Sequence, residues 1–168
     1  MTLTATFRRA ALSLLIICAG LLSTQASAEE LRIDNAWARA TAPGLPTGAV
    51  YFELINPNPR GDHLIGVRTD RAPRAELHQT IESGGNSRMQ PTPRVRIPAN
   101  GRVVFAPAGR HVMLLGLTEA LAEGERFNLT LVFEAAGARE VSVTVKAPTA
   151  MGSDHSNHGM EAMDHSSQ

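Results

Sequence analysis

Phe127-Asn128-Leu129-Thr130-Leu131-Val132-Phe133 alternates large apolar side chains with mostly polar ones, and Val141-Ser142-Val143-Thr144-Val145-Lys146 repeats the pattern. A period of two puts Phe127, Leu129, Leu131 and Phe133 on one face of an extended chain, so both stretches read as half-buried strands rather than helices. Ala136-Gly137-Ala138 between them reads as a hairpin connection. Working outward, further strands are expected at Leu31–Arg39, Gly48–Ile55, His63–Thr69, Arg74–Ile81, Arg102–Phe105 and His111–Leu117. Turn signals separate them: Pro43-Gly44, Asn56-Pro57-Asn58-Pro59, Gly84-Gly85-Asn86, Asn100-Gly101 and Ala108-Gly109. Only Thr118–Glu123 reads as helical, and Gly124 ends it. Seven or eight short strands with regular turns predict an all-β, antiparallel Greek-key sandwich or barrel. Trp37 and Tyr51 fall in expected strands and read as core packing.

The composition closes off several function classes. Lys plus Arg balances Asp plus Glu at 16 each, so no basic surplus points to nucleic acid, and aromatics at 4% are too few for a base-stacking platform. Neither a phosphate-binding Gly-rich loop with its Lys nor a Gly-x-Ser-x-Gly elbow is present, and the chain is not expected to be an enzyme.

At the N-terminus, Arg8 and Arg9 precede the apolar run Ala10–Leu22 and the small-residue pattern Ala26-Ser27-Ala28. The run is short of the roughly 20 residues a membrane span needs, and the arrangement is that of a secretory signal cleaved after residue 28. Ile17 stands before Cys18 where a lipidated cysteine requires a small residue, so no lipid anchor and no membrane insertion are expected after processing. Cleavage removes the one Cys, leaving an exported, periplasmic, cysteine-free chain. Thiol chemistry and a thiolate-ligated blue-copper centre are thereby excluded.

His and Met carry the remaining chemistry. In His111-Val112-Met113 the imidazole and thioether lie two residues apart and project from one face of a strand. His78 follows core-facing Leu77 and projects away from the core, and Met89 stands among Arg88, Gln90 and Pro91. Taken singly these are a surface His or a gap-filling Met. Together they form a soft set that suits Cu(I) better than Zn(II) or a hard cation.

The chain resembles the periplasmic copper chaperone family PCu(A)C. That family's signature is a His, ten residues, a Met, twenty-one residues, then His-x-Met, and His78, Met89, His111 and Met113 fit it. So do Ala75-Glu76-Leu77-His78, Ile97-Pro98-Ala99-Asn100-Gly101, His111–Leu117 and Glu123-Gly124. The resemblance spans roughly residues 31–147. It implies a cupredoxin-like domain (residues 29–148) that holds one Cu(I) on those four residues. It also implies a role in supplying the dinuclear copper centre of cytochrome c oxidase, with the copper-receiving oxidase subunit and Sco-type proteins as partners. Two positions depart from the family: Ser87, where an extra Met is common, and Ala108-Gly109, where a Gly-Gly pair is common. A periplasmic copper buffer and a metal-free recognition module are the competing readings. A monomer is expected, since no apolar stripe is evident.

Residues 149–168 show no periodicity and read as a flexible, disordered tail. Met151, His155, His158, Met160, Met163 and His165 crowd into it, far denser in His and Met than the rest of the mature chain. The imidazoles suit Cu(II) and the thioethers Cu(I), so a second, weaker copper site is expected there.

Overall fold

A computed structural model describes residues 30–151. The expected signal segment and residues 152–168, with His155, His158, Met160, Met163 and His165, lie outside the described residues. The described chain is all-β and cupredoxin-like, with ten strands: β1 Arg32–Arg39, β2 Thr47–Asn56, β3 Asp62–Arg68, β4 Arg74–Ser83, β5 Asn86–Pro91, β6 Val95–Ile97, β7 Gly101–Phe105, β8 Arg110–Leu115, β9 Arg126–Phe133 and β10 Gly137–Lys146. The hydrogen-bonded order is β5-β4-β8-β7-β2-β1-β10-β9-β3-β6, with β8 also reaching β2. This run bends back on itself: β3 meets β4 and β6 meets β7 across the fold. One core results, in which Leu54, Leu114, Leu129 and Leu131 are fully buried. Each such side chain contributes about 1.5–3 kcal/mol of hydrophobic stabilisation. Phe52 stacks on Phe105 with ring centroids 4.3 Å apart.

The β9–β10 hairpin pairs Phe133 with Gly137 and Phe127 with Val143, the register its alternation requires. Three features depart from the sequence reading. β1 runs parallel to β10, so the sandwich is not purely antiparallel. Two short strands, β5 and β6, were not expected. Every residue of β5 is exposed, so this edge strand has no buried face to impress an alternation on its sequence. Finally, Thr118–Glu123 is not a helix. Leu121 is completely buried, its N–H donates to Thr41 Oγ1 and its carbonyl accepts from the Thr41 N–H. A segment of fewer than two turns cannot nucleate against such tertiary bonds.

Two local devices shape the site face. The β4–β5 hairpin turns through Gly84 and Gly85, both at positive φ (58° and 80°), which only glycine adopts without strain. In β1 a bulge between Asp34 and Trp37, with Asn35 at φ 53°, resets the register so that Trp37 stands opposite Tyr51.

Candidate metal centre

The four sequence-selected residues converge at one end of the strand order. In the antiparallel β4–β8 pair, His78 stands directly opposite His111 and Glu76 opposite Met113. In β4–β5, Thr80 stands opposite Met89. Directly paired residues share a face, and so do residues two apart, which puts Glu76, His78, Thr80, Met89, His111 and Met113 together. Val112, between the two ligands of β8, and Leu77, next to His78 on β4, point into the core and are buried.

Met89, His111 and Met113 line an open cavity of about 770 Å³, together with Arg39, Tyr51 and Thr80. His78 is not part of that lining; its ring lies against His111, centroids 5.9 Å apart and planes inclined at 46°. With metal–nitrogen bonds of about 2 Å, two imidazoles on one ion have centroids no more than roughly 6.4 Å apart, so the pair is already within reach of a shared ion.

Each imidazole is oriented by an acceptor two residues upstream on its own chain. His78 Nε2 lies 3.1 Å from Glu76 Oε2, and His111 Nδ1 lies 3.1 Å from the Gly109 carbonyl oxygen. Those oxygens only accept, so the facing ring nitrogens carry the protons. In the neutral rings the lone pairs are then left on His78 Nδ1 and His111 Nε2. His78 Nδ1 is buried and has no hydrogen-bond partner. Such an atom costs stability unless something binds it, and a metal ion is such a partner. Burial, with help from the His78 charge, holds the His111 pKa below the usual 6.5, while the Gly109 hydrogen bond works against this. The ring therefore stays neutral and ready to ligate at neutral pH. Among the described residues no group of three or more His, Cys, Asp or Glu could hold a metal, so this constellation depends on its thioethers.

Residues 31–145 match the family model described as "Putative lipoprotein LpqE-like". The chain belongs to the LpqE-like, or PCuAC, family. A relative from Leifsonia xyli, "Putative lipoprotein Lxx21020", is 31% identical over 120 residues, covering 71% of this chain and 71% of its own. The copper-bound PCuAC domain from PmoF2 superposes with a TM-score of 0.62 at 28% identity, over 73% of this chain and 97% of that domain. The solution structure of CuI-DR1885 from Deinococcus radiodurans matches with a TM-score of 0.56 at 32% identity, over 74% of this chain and 85% of that one.

Of the two departures from the PCuAC pattern, Ser87 lines the cavity, and Ala108 takes φ 60° in the turn that presents the Gly109 carbonyl to His111. The structure bears out Trp37 and Tyr51 as buried packing residues and adds where they pack. Both are buried, but they stand on the site face rather than in the core cluster. Trp37, Tyr51, His111 and His78 form a row across β1, β2, β8 and β4, with successive centroids 4.6, 6.5 and 5.9 Å apart. Burial pushes the Tyr51 pKa up and outweighs the lowering by Arg39, so the phenol stays protonated and forms a wall rather than a ligand. The Arg39 guanidinium carbon lies 6.0 Å from the Tyr51 ring, and its Nη2 donates to the Ala150 carbonyl (2.7 Å) and contacts Met151 Sδ (3.6 Å). Met151 thus sits beside Trp37 in a separate cavity, outside the four-residue cluster.

The sequence reading named no partner for His78, although Glu76 was legible as one from its spacing, since two residues apart on a strand means one face. The Gly109 carbonyl was not, because main-chain acceptors carry no sequence signal.

Proposed function

We propose that this chain is an exported, non-enzymatic copper chaperone that carries one Cu(I) on His78, Met89, His111 and Met113. The observation that carries this reading is the buried, unpartnered Nδ1 of His78 beside His111, with the remaining nitrogen of each ring occupied by a fixed acceptor. Two neutral imidazoles and two thioethers form a soft, uncharged set that favours Cu(I) over Zn(II). The site opens to solvent through Met89, 57% exposed on an edge strand, which suits hand-over to another protein better than permanent storage. The recipient in this reading is the copper-receiving subunit of cytochrome c oxidase, acting with Sco-type proteins, and residues 149–168 form a weaker accessory copper site. Similarity to a putative lipoprotein supports export, and similarity to the copper-bound PmoF2 domain and to CuI-DR1885 supports copper as cargo.

Competition titration against a Cu(I) chelator tests the assignment. Met113→Leu removes the sulfur at nearly constant volume and His111→Ala removes a nitrogen. Each is expected to weaken Cu(I) binding at least about tenfold, as lost ligand-shell groups do. Parental affinity in both variants would refute the site. Deleting the gene should lower oxidase activity in a manner rescued by added copper; unchanged activity with increased copper sensitivity would instead identify a copper buffer.

A further inference from the structure

The two thioethers of the site are unequally shielded. Met113 is half-buried in β8, which has β4 on one side and β2 and β7 on the other. Met89 lies in β5, the terminal strand of the order, bonded only to β4, and is 57% exposed. All of β5 is exposed, so a solute meets Met89 without any opening of the fold. The two side chains nevertheless line the same cavity as His111.

We propose that Met89 is a site of reversible two-electron oxidation by hydrogen peroxide that switches copper binding off. The proposal rests on the assignment of Met89 as a ligand. A sulfur lone pair attacks one peroxide oxygen and the O–O bond breaks. The departing hydroxide takes the proton from the new S–OH group, which leaves a sulfoxide and one water. Sulfur gives up two electrons and peroxide accepts them. The product presents a hard oxygen where Cu(I) requires a soft sulfur donor. Because Met89 contributes nothing to the core cluster, the change alters binding and spares the fold. A bound metal engages the same lone pair and protects it, so the apo protein is the sensitive form. Met113, enclosed by neighbouring strands, reacts later.

The test treats the purified full chain with hydrogen peroxide, apo and with one equivalent of Ag(I), a soft ion that stands in for Cu(I) without its redox chemistry. Peptide mass spectrometry follows each methionine. Met151, 75% exposed and outside the four-residue cluster, is the internal reference. In the apo protein Met89 is expected to oxidise on the time scale of Met151 and several-fold ahead of Met113. One equivalent of Ag(I), taken up by the four-residue site ahead of the weaker accessory one, should slow Met89 far more than Met151. Protein oxidised at Met89 should bind Cu(I) at least about tenfold more weakly. The two methionine sulfoxide reductases, one for each epimer, should restore the parental affinity when supplied with a dithiol, which is oxidised to its disulfide as the sulfoxide oxygen leaves as water. Oxidation of Met113 as fast as Met89, no protection by Ag(I), or parental affinity after Met89 oxidation would each overturn the switch. Met89→Leu, titrated in parallel, separates the two levels. If it weakens Cu(I) binding while oxidised protein does not, the switch alone fails. If it retains parental affinity, the ligand assignment fails and the switch with it.

Discussion

Asp62 and the His78–His111 pair lie toward opposite ends of the strand order, and both bring polar side chains out of water. Their hydrogen bonding differs. The Asp62 carboxylate accepts from three main-chain N–H groups: His63 at 2.7 Å and Ala135 and Ala136, each at 2.9 Å. It ties the start of β3 to the turn after β9 and has no evident need of a ligand. The two imidazoles are satisfied on one side only. Each has one nitrogen on a fixed acceptor, and His78 Nδ1 is buried with nothing to bind. A polar group that the fold completes is structural, whereas one that the fold orients and leaves incomplete is poised for a ligand.

The largest effect that could break this contrast is on stability. Asp62→Ala strands three main-chain donors and is expected to cost about 3 kcal/mol or more in denaturant unfolding. His78→Leu, which removes an unsatisfied atom, should change the stability of the apo protein by less than about 1 kcal/mol. Equal losses in the two variants would dissolve the distinction. Next comes the orienting carboxylate: Glu76→Ala should weaken Cu(I) binding about tenfold with little effect on unfolding, and Glu76→Gln, which keeps an acceptor oxygen, should fall between. A loss of stability matching the loss of affinity would make Glu76 structural instead.

Acid titration sharpens the contrast further. His111 is held below its usual value, mainly by burial, so below pH 6.5 the unfolded chain takes up a proton that the folded one resists. Apo stability attributable to His111 is therefore complete above pH 6.5 and declines as the pH falls. Burial would raise the Asp62 pKa, but its main-chain donors and the His63 charge together hold it below 3.8, so its contribution persists to about that pH before declining. Thermal unfolding against pH should show the earlier decline vanish in His111→Gln and the later one in Asp62→Asn. The smallest effect concerns Ala108. A left-handed alanine costs about 1–2 kcal/mol and glycine forfeits roughly 0.5–1 kcal/mol of chain entropy. Ala108→Gly should therefore gain between zero and about 1.5 kcal/mol. A loss would show that the Ala108 methyl makes a contact of its own.

Much of this protein was written in local pattern. The alternation in Phe127–Phe133 and Val141–Val145 required a β-hairpin buried on one face, because a period of two has no other economical solution. His111-x-Met113 had to share a face for the same reason, and the spacing of His78 and Met89 selected the family. Tertiary structure alone decided the rest. The exposed edge strand β5 has no core face to mark it in the sequence. Leu117 and Leu121 are buried at a helix-like spacing, but Thr41 holds the segment open. Trp37 and Tyr51 look like core residues from composition, yet a bulge at Asn35 and the pairing of four strands set them in the row that ends at the two imidazoles. Which nitrogen of each ring is left free depends on the Gly109 carbonyl and the Glu76 carboxylate. Period two could place Glu76 beside His78, but only packing could bury the nitrogen that remains.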